Sequence, residues 1–292
     1  MRAASGGKAT IAAPAPWPRA GASMPRLTER ATEWIAEQSK SEQPFFLYWP
    51  WTGPHTPVVP LPEFQGKTKA GPFGDYMFQL DHHLGQVLDA LEKNGLADNT
   101  LVIFTADNGP EDIAYERIRN HGHKSSGPLR GVKRDIWEGG HRVPFVVRWP
   151  GVIAPGQVND RLISQIDIMA TLAALTGSEL PEGAAEDSYN FLPAWTKGEP
   201  GPRSILIHNT PAKRYAIRHG DWLMIDNTSG AVSKVPDWFD EKFNYPENPH
   251  PGELYNLSED PAQRNNLWPE QPGRIAEMRT MLNQIRESGQ AR

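Results

Sequence analysis

Two apolar, β-branched runs constrain the fold most. Leu101-Val102-Ile103-Phe104-Thr105 stops abruptly at Ala106-Asp107-Asn108-Gly109, and Phe145 to Trp149 stops at Pro150-Gly151. Runs this short, bounded by turn residues, read as strands, the first of them buried. A third, Phe45-Phe46-Leu47-Tyr48-Trp49, leads into the loop Pro54-His55-Thr56-Pro57 and reads as a buried strand. Helical periodicity lies between them. Tyr76, Leu80, His83, Leu84, Val87, Leu88 and Leu91 share one face of a helix over 76–93, and Asn94-Gly95 supplies its C-cap. Leu27, Ala31, Trp34 and Ile35 predict an earlier amphipathic helix with Thr28 at its N-cap. Ser164-Gln165-Ile166-Asp167 resembles a capping box before a helix to Leu175, closed by Gly177. Strands alternating with helices predict an α/β sheet covered by helices.

Near residue 200 the pattern changes. Short strands are expected near 204–208, 214–218, 222–226 and 253–257, as a small antiparallel sheet. A last helix is expected over 272–288, with Ile275, Met278, Leu282 and Ile285 on one face. Three segments follow: a disordered leader over 1–26, an α/β domain over 27–200 and a C-terminal subdomain over 201–292. Residues 110–141 show no periodicity and read as one long loop, and 59–75 and 226–252 read as irregular.

Composition narrows the chemistry. The 292 residues contain no Cys, which excludes a disulfide framework, a thiolate metal site and a cysteine nucleophile within this sequence. Net charge is −5 with no basic stripe, so a nucleic-acid partner is not expected. No apolar run has the length of a membrane span. Arg2 and Lys8 are followed by no apolar stretch of the kind a secretory signal carries. The compartment is left open.

Ligands of open α/β sheets sit at the carboxyl ends of strands. Asp107 and Asn108 follow one such end and offer hard oxygens suited to Ca2+ or, less well, Mg2+; the other reading is an Asn-Gly turn with an Asx cap. His55 follows another end, as a catalytic group or as a plain loop residue. Lys133 lies near Arg130, His121 and His123, a set that suits a tetrahedral oxyanion or simply makes a solvated basic loop.

The motifs in order resemble the sulfatase family. Leu27-Thr28-Glu29-Arg30-Ala31 precedes Gln43-Pro44-Phe45-Phe46-Leu47-Tyr48 and Pro54-His55-Thr56-Pro57. Asn94-Gly95-Leu96-Ala97-Asp98-Asn99-Thr100 comes next, then Thr105-Ala106-Asp107-Asn108-Gly109-Pro110 and Gly127-Pro128-Leu129-Arg130-Gly131-Val132-Lys133. Glu138-Gly139-Gly140-His141-Arg142-Val143-Pro144 and Arg148-Trp149-Pro150-Gly151 complete that series, and Glu253-Leu254-Tyr255-Asn256-Leu257 closes it. The resemblance covers roughly residues 25–288 and points to type I, arylsulfatase-like hydrolases of the alkaline phosphatase superfamily.

The resemblance implies a partial alkaline-phosphatase-like mixed sheet covered by helices, plus a small antiparallel sheet with a packed helix. It implies Asp107 and Asn108 as Ca2+ ligands, and Lys133 and His55 as catalytic groups contacting sulfate. His208 is implied as a substrate contact or else ends a capped strand, and His123 lines the substrate pocket. The substrate class is a sulfated small molecule or glycan. Family members also carry an N-terminal Asp pair and a Cys or Ser converted to formylglycine, and neither segment is recognisable here. Ser126-Gly127-Pro128-Leu129-Arg130 formally matches the nucleophile signature, but the segment leads into Lys133 and lacks the helix start that follows the true motif. The expectation is a fragment that lacks the nucleophile, is inactive alone and needs a missing N-terminal half. The alternatives are a phosphodiester or phosphonate monoester hydrolase of the same superfamily, or a non-catalytic remnant that holds sulfated glycans.

Overall fold

A computed structural model describes residues 23–211 and 213–291. Of the leader expected over 1–26, residues 1–22 lie outside this range. Ser23 to Arg26 are the first turn of a helix, α1, Ser23–Gln38. Thr28 is therefore no N-cap. It is buried inside the helix, and its hydroxyl donates to the Met24 carbonyl at 2.8 Å.

The chain divides into two compact units. The first comprises 1–102, 119–123 and 148–152, and the second comprises 103–118, 124–147 and 153–292. In the first, α1 packs on α2, Gly71–Lys93. Ala31 and Ile35 of α1 meet Val87, Ala90 and Leu91 of α2, the faces that the periodicity predicts. Asn94 is the C-cap of α2 and Gly95 takes φ +69°, a value that costs glycine little.

The expected strand at 45–49 does not form. The segment has no regular secondary structure, with Phe45, Leu47 and Trp49 packed on the helices and Phe46 and Tyr48 at 72% and 76% exposure. The alternation of a strand is present. The ladder is not, because no described segment pairs with this backbone.

Strand β1, Val102–Thr105, pairs with β2, Phe145–Arg148, and all of both but Val102 and Arg148 belongs to the second unit. The first was expected to be buried, yet β1 is partly exposed throughout; β2 alternates, with Val146 at 56%. The long loop over 110–141 is also corrected. It contains α3, Ala114–His121, whose Ala114, Tyr115 and Ile118 pack on Val132, Phe239 and Tyr245, and the single turn α4, Glu138–His141. Beyond them lie α5, Asp167–Thr176, closed by Gly177 at φ +66°, and α6, Leu192–Lys197. Asp167 accepts from the Ser164 N–H at 2.8 Å, as one half of a capping box does, but its main partner is Arg203 at 2.6 and 2.9 Å.

The antiparallel sheet expected past residue 200 is present as β3, Ile205–Thr210, β4, Arg214–His219, β5, Trp222–Ile225, and β6, Glu253–Asn256, in that order. A short helix, α7, Asp237–Phe243, interrupts the segment read as irregular. Helix α8, Pro272–Ser288, covers one face of the sheet: Ile275, Met278 and Leu282 pack on Ile217, Met224 and Leu254. The opposite face carries Ala216, Leu223, Ile225 and Tyr255 against Ile136 and Trp137. Side chains alternate along a strand, so neighbouring residues serve opposite faces. The register pairs Ile207 with Ile217 and His208 with Ala216, which puts His208 on the face that receives Ile136 and Trp137.

Candidate active site

Asp107 and Asn108 leave the end of β1 in a bend. The Asn108 N–H donates to Asp107 Oδ1 at 3.0 Å, and the Asn108 amide nitrogen donates to the Gly109 carbonyl at 2.9 Å. That bond assigns the other side of the amide, Oδ1, as an acceptor. A carboxylate beside an amide oxygen suits a hard cation, and supplies only part of the six to eight oxygens that Ca2+ takes.

Lys133 belongs to the same neighbourhood. Its backbone N–H donates to the Pro110 carbonyl at 2.7 Å, and the Gly109 N–H donates to the Gly140 carbonyl at 2.9 Å. These bonds fasten the loop after β1 to the segment 131–140. The approach requires glycine at both sides. A Cβ on Gly109 would fall on the Gly139 carbonyl oxygen, and one on Gly139 would lie 2.5 Å from the carbonyl oxygens of Arg130 and Gly131.

The Lys133 segment rests on buried polar anchors. Asp135 accepts N–H bonds from Val132, Val232 and Ser233 at 2.8–2.9 Å. Burial pushes its carboxyl above the ordinary range, and these backbone donors oppose that. Trp137 donates from its indole nitrogen to Glu253 at 2.6 Å, and the Arg130 guanidinium lies 3.7 Å from the Trp137 ring and 4.3 Å from that of Tyr245. Lys133 Nζ itself is 2.9 Å from Glu111 Oε1. The Lys133 ammonium holds the Glu111 carboxyl below the ordinary range, against the upward push of burial and with help from Arg134.

The remaining candidates are placed as follows. His55 lies in the first unit, exposed, with Nδ1 2.9 Å from the Thr56 carbonyl oxygen. His123 is also exposed in the first unit, its ring 6.3 Å from that of Phe73. Ser126 donates to the Leu129 carbonyl at 3.1 Å, the bond of a turn-forming serine. His208 is in the second unit and faces α4, with its ring 4.0 Å from that of His141.

Around His208 the structure assembles residues that sequence reasoning missed. Glu138, 1% exposed, lies 3.4 Å from His141 Nε2 through Oε1. Its Oε2 meets Arg218 at 3.3 Å and Arg142 at 3.4 Å. Burial alone would raise the Glu138 carboxyl; His141, Arg218 and His208 outweigh it and hold it at about 2. Burial drives the His208 imidazole well below the usual histidine range, and His141 adds to the effect. The available signal was the spacing Glu-x-x-His at 138–141, which puts both side chains on one side of a helical turn.

The Sulfatase family model matches residues 4–178. The N-acetylgalactosamine-6-O-sulfatase of Bacteroides thetaiotaomicron is 36% identical over 89% of this chain and 50% of its own length, and human arylsulfatase A is 32% identical over 94% and 54%. A solved Bacteroides thetaiotaomicron structure, described in the context of the metabolism of multiple glycosaminoglycans, superposes with a TM-score of 0.78 at 34% identity, over 91% of this chain and 55% of that one. The chain thus spans about half the length of the curated relatives it matches. By family match, sequence identity and fold, the chain belongs to the sulfatases, the type I branch of the alkaline phosphatase superfamily.

Proposed function

We propose that the chain carries metal-binding and sulfate-binding groups of a sulfate-ester hydrolase acting on sulfated carbohydrate. The supporting observation is the backbone clasp between the two motifs: Lys133 N–H on Pro110 at 2.7 Å, and Gly109 N–H on Gly140 at 2.9 Å. It ties the acid–amide pair to the loop that presents the ammonium. Asp107 and Asn108 would hold Ca2+, which when bound supplies fixed positive charge for an anionic ester.

Lys133 attracts and orients the sulfate group and holds a proton at Nζ near the departing oxygen. A preorganised cation of this kind, where charge develops, is worth on the order of 3 kcal/mol of barrier. To reach sulfate its ammonium shares or leaves the Glu111 carboxylate. His55 and His123, each described within the first unit, keep sulfate-contacting and substrate-lining roles as part of the same proposal, and His208 a substrate-contacting one. The carbohydrate assignment draws on the relative named an N-acetylgalactosamine-6-O-sulfatase.

The chain has no Cys, and the Ser126 hydroxyl is engaged in a turn, so the reading assigns it no nucleophile. The decisive test is Ca2+ titration of the purified chain by calorimetry, with an aryl sulfate turnover assay beside it. Saturable Ca2+ binding lost in Asp107→Ala and in Asn108→Ala is expected, without turnover by this chain alone. Ca2+ binding indifferent to both substitutions would overturn the metal assignment.

A further inference from the structure

We propose that Glu138, His141 and His208 form a binding site for a divalent transition-metal cation of the Zn2+ class, additional to the hard-oxygen pair at Asp107 and Asn108. The inference stands on three atoms. Glu138, His141 and His208 each offer one ligand atom within 4.8 Å of the other two, and Glu138 Oε1 and His141 Nε2 are 3.4 Å apart. In the same three residues Glu138 Oε1, His141 Nε2 and His208 Nε2 are buried, and none has a hydrogen-bond partner. One orphaned buried polar atom costs about 1–3 kcal/mol. Three orphans in residues gathered this closely are an expensive arrangement unless something binds among them.

The donor chemistry selects the occupant. Two imidazole nitrogens and one carboxylate oxygen make a set that Zn2+ favours, with a fourth position left open. Calcium prefers oxygen throughout and matches the set poorly. Ligand bonds of about 2.0–2.1 Å imply ligand–ligand separations of roughly 3.4 Å around a tetrahedral centre. His141 Nε2 and Glu138 Oε1 are 3.4 Å apart already, at ion-pair distance but outside hydrogen-bond geometry.

The surroundings hold these atoms in place. Arg218 and Arg142 both engage Glu138 Oε2, which leaves Oε1 to the His141 imidazole. Outer partners on the far oxygen of a carboxylate are the usual means of aiming a ligand. The α4 turn is fixed from below: the Glu138 N–H donates to Gln263 Oε1 at 2.8 Å, and the Gly139 N–H to the Arg130 carbonyl at 2.7 Å. His208 comes from β3, and its register opposite Ala216 sets the side of the sheet on which it meets that turn. A protonated His141 paired with Glu138 would satisfy two of the three atoms and leave His208 Nε2 orphaned. A cation satisfies all three.

The probe is Co2+, whose visible ligand-field absorption reports nitrogen-containing, low-coordinate sites. The full chain is titrated with Co2+ in saturating Ca2+. One equivalent with strong ligand-field bands, displaced by Zn2+, is expected. His141→Ala and His208→Ala should each weaken binding at least tenfold, while Asp107→Ala leaves it unchanged. His208→Asn, checked by circular dichroism for native secondary structure, guards against loss of fold as the cause. Absence of the bands in the wild-type chain would sink the proposal, as would binding that survives both histidine substitutions. So would a site occupied by a substrate hydroxyl instead, seen as His208→Ala weakening the binding of a 6-sulfated galactosamine while Co2+ affinity stays the same. Loss of Ca2+ binding by Asp107→Ala bears only on the sulfatase reading, so the two fail separately.

Discussion

Lys133 and Glu111 form an ion pair of 2.9 Å, and the second oxygen of the same carboxylate takes Arg134 at 2.7 Å. The sulfate-contacting cation proposed here thus already has an anion in contact. Glu111→Gln removes the competitor. We expect sulfate affinity to rise several-fold, read by equilibrium titration at low ionic strength, with the gain shrinking as salt increases. Unchanged or weaker sulfate binding would show that Glu111 orients Lys133 more than it competes.

The same pair sets a pH dependence. The folded-state carboxyl of Glu111 is depressed below its ordinary value of 4.5. Its contribution to stability is therefore complete above that ordinary value and is lost as pH falls through the lowered one. Thermal unfolding between pH 5 and pH 2 should show wild type losing more stability than Glu111→Gln. Parallel curves would refute this.

Lys124 gives the opposite slope. Its ammonium lies 4.9 Å from the centre of the Phe243 ring, and burial, with Arg264 nearby, lowers its pKa from 10.5 to about 8. Between those values the folded chain has shed a proton that the unfolded chain keeps, so stability rises with pH across that window. Lys124→Met should flatten the rise and raise stability at neutral pH. Denaturant midpoints measured from pH 7 to 10.5 check both parts.

Gly109 and Gly139 are in backbone contact at the clasp. Gly109→Ala should separate the loop after β1 from the Lys133 segment, at a cost of about 1–3 kcal/mol for overpacking. Calorimetry should show Ca2+ affinity falling with it, although no proposed ligand is changed. Retention of full affinity would mean that Asp107 and Asn108 keep their geometry without the clasp.

Arg203 and Asp167 are both essentially inaccessible to solvent and paired through two bonds. Arg203→Ala leaves a buried carboxylate without its cation and should cost ~3–5 kcal/mol. Urea unfolding of Arg203→Ala beside the double variant Asp167→Asn/Arg203→Met separates loss of the pair from loss of packing. The double variant should be the more stable of the two.

Much of the fold was legible in local pattern. The helix expected over 76–93 forms but begins earlier, at Gly71, while the helix over 272–288 and the strands of the C-terminal sheet form within two residues of where their patterns place them. What the sequence read wrongly was context. Phe45 to Trp49 has a strand's alternation without a partner for its ladder. Helix α3 is short, one of its buried residues is the charged Arg117, and the rest are diluted by the exposed Glu116, Arg119 and Asn120. Asp107, Asn108 and Lys133 were visible as motif residues, whereas their fastening through Gly109–Gly140 and Pro110–Lys133 is a backbone matter that side-chain types do not encode.

The order of its motifs determined the family, because each motif is a run of adjacent residues whose identity is complete in the chain. The meeting of Glu138, His141 and His208 is of another kind. Glu138 and His141 are three positions apart on one turn, but His208 arrives from β3 some seventy residues later. The register opposite Ala216 decides which face of the sheet it points from. Register depends on the pairing of four strands and the burial of both sheet faces at once, so only the tertiary structure brings the second imidazole to the carboxylate.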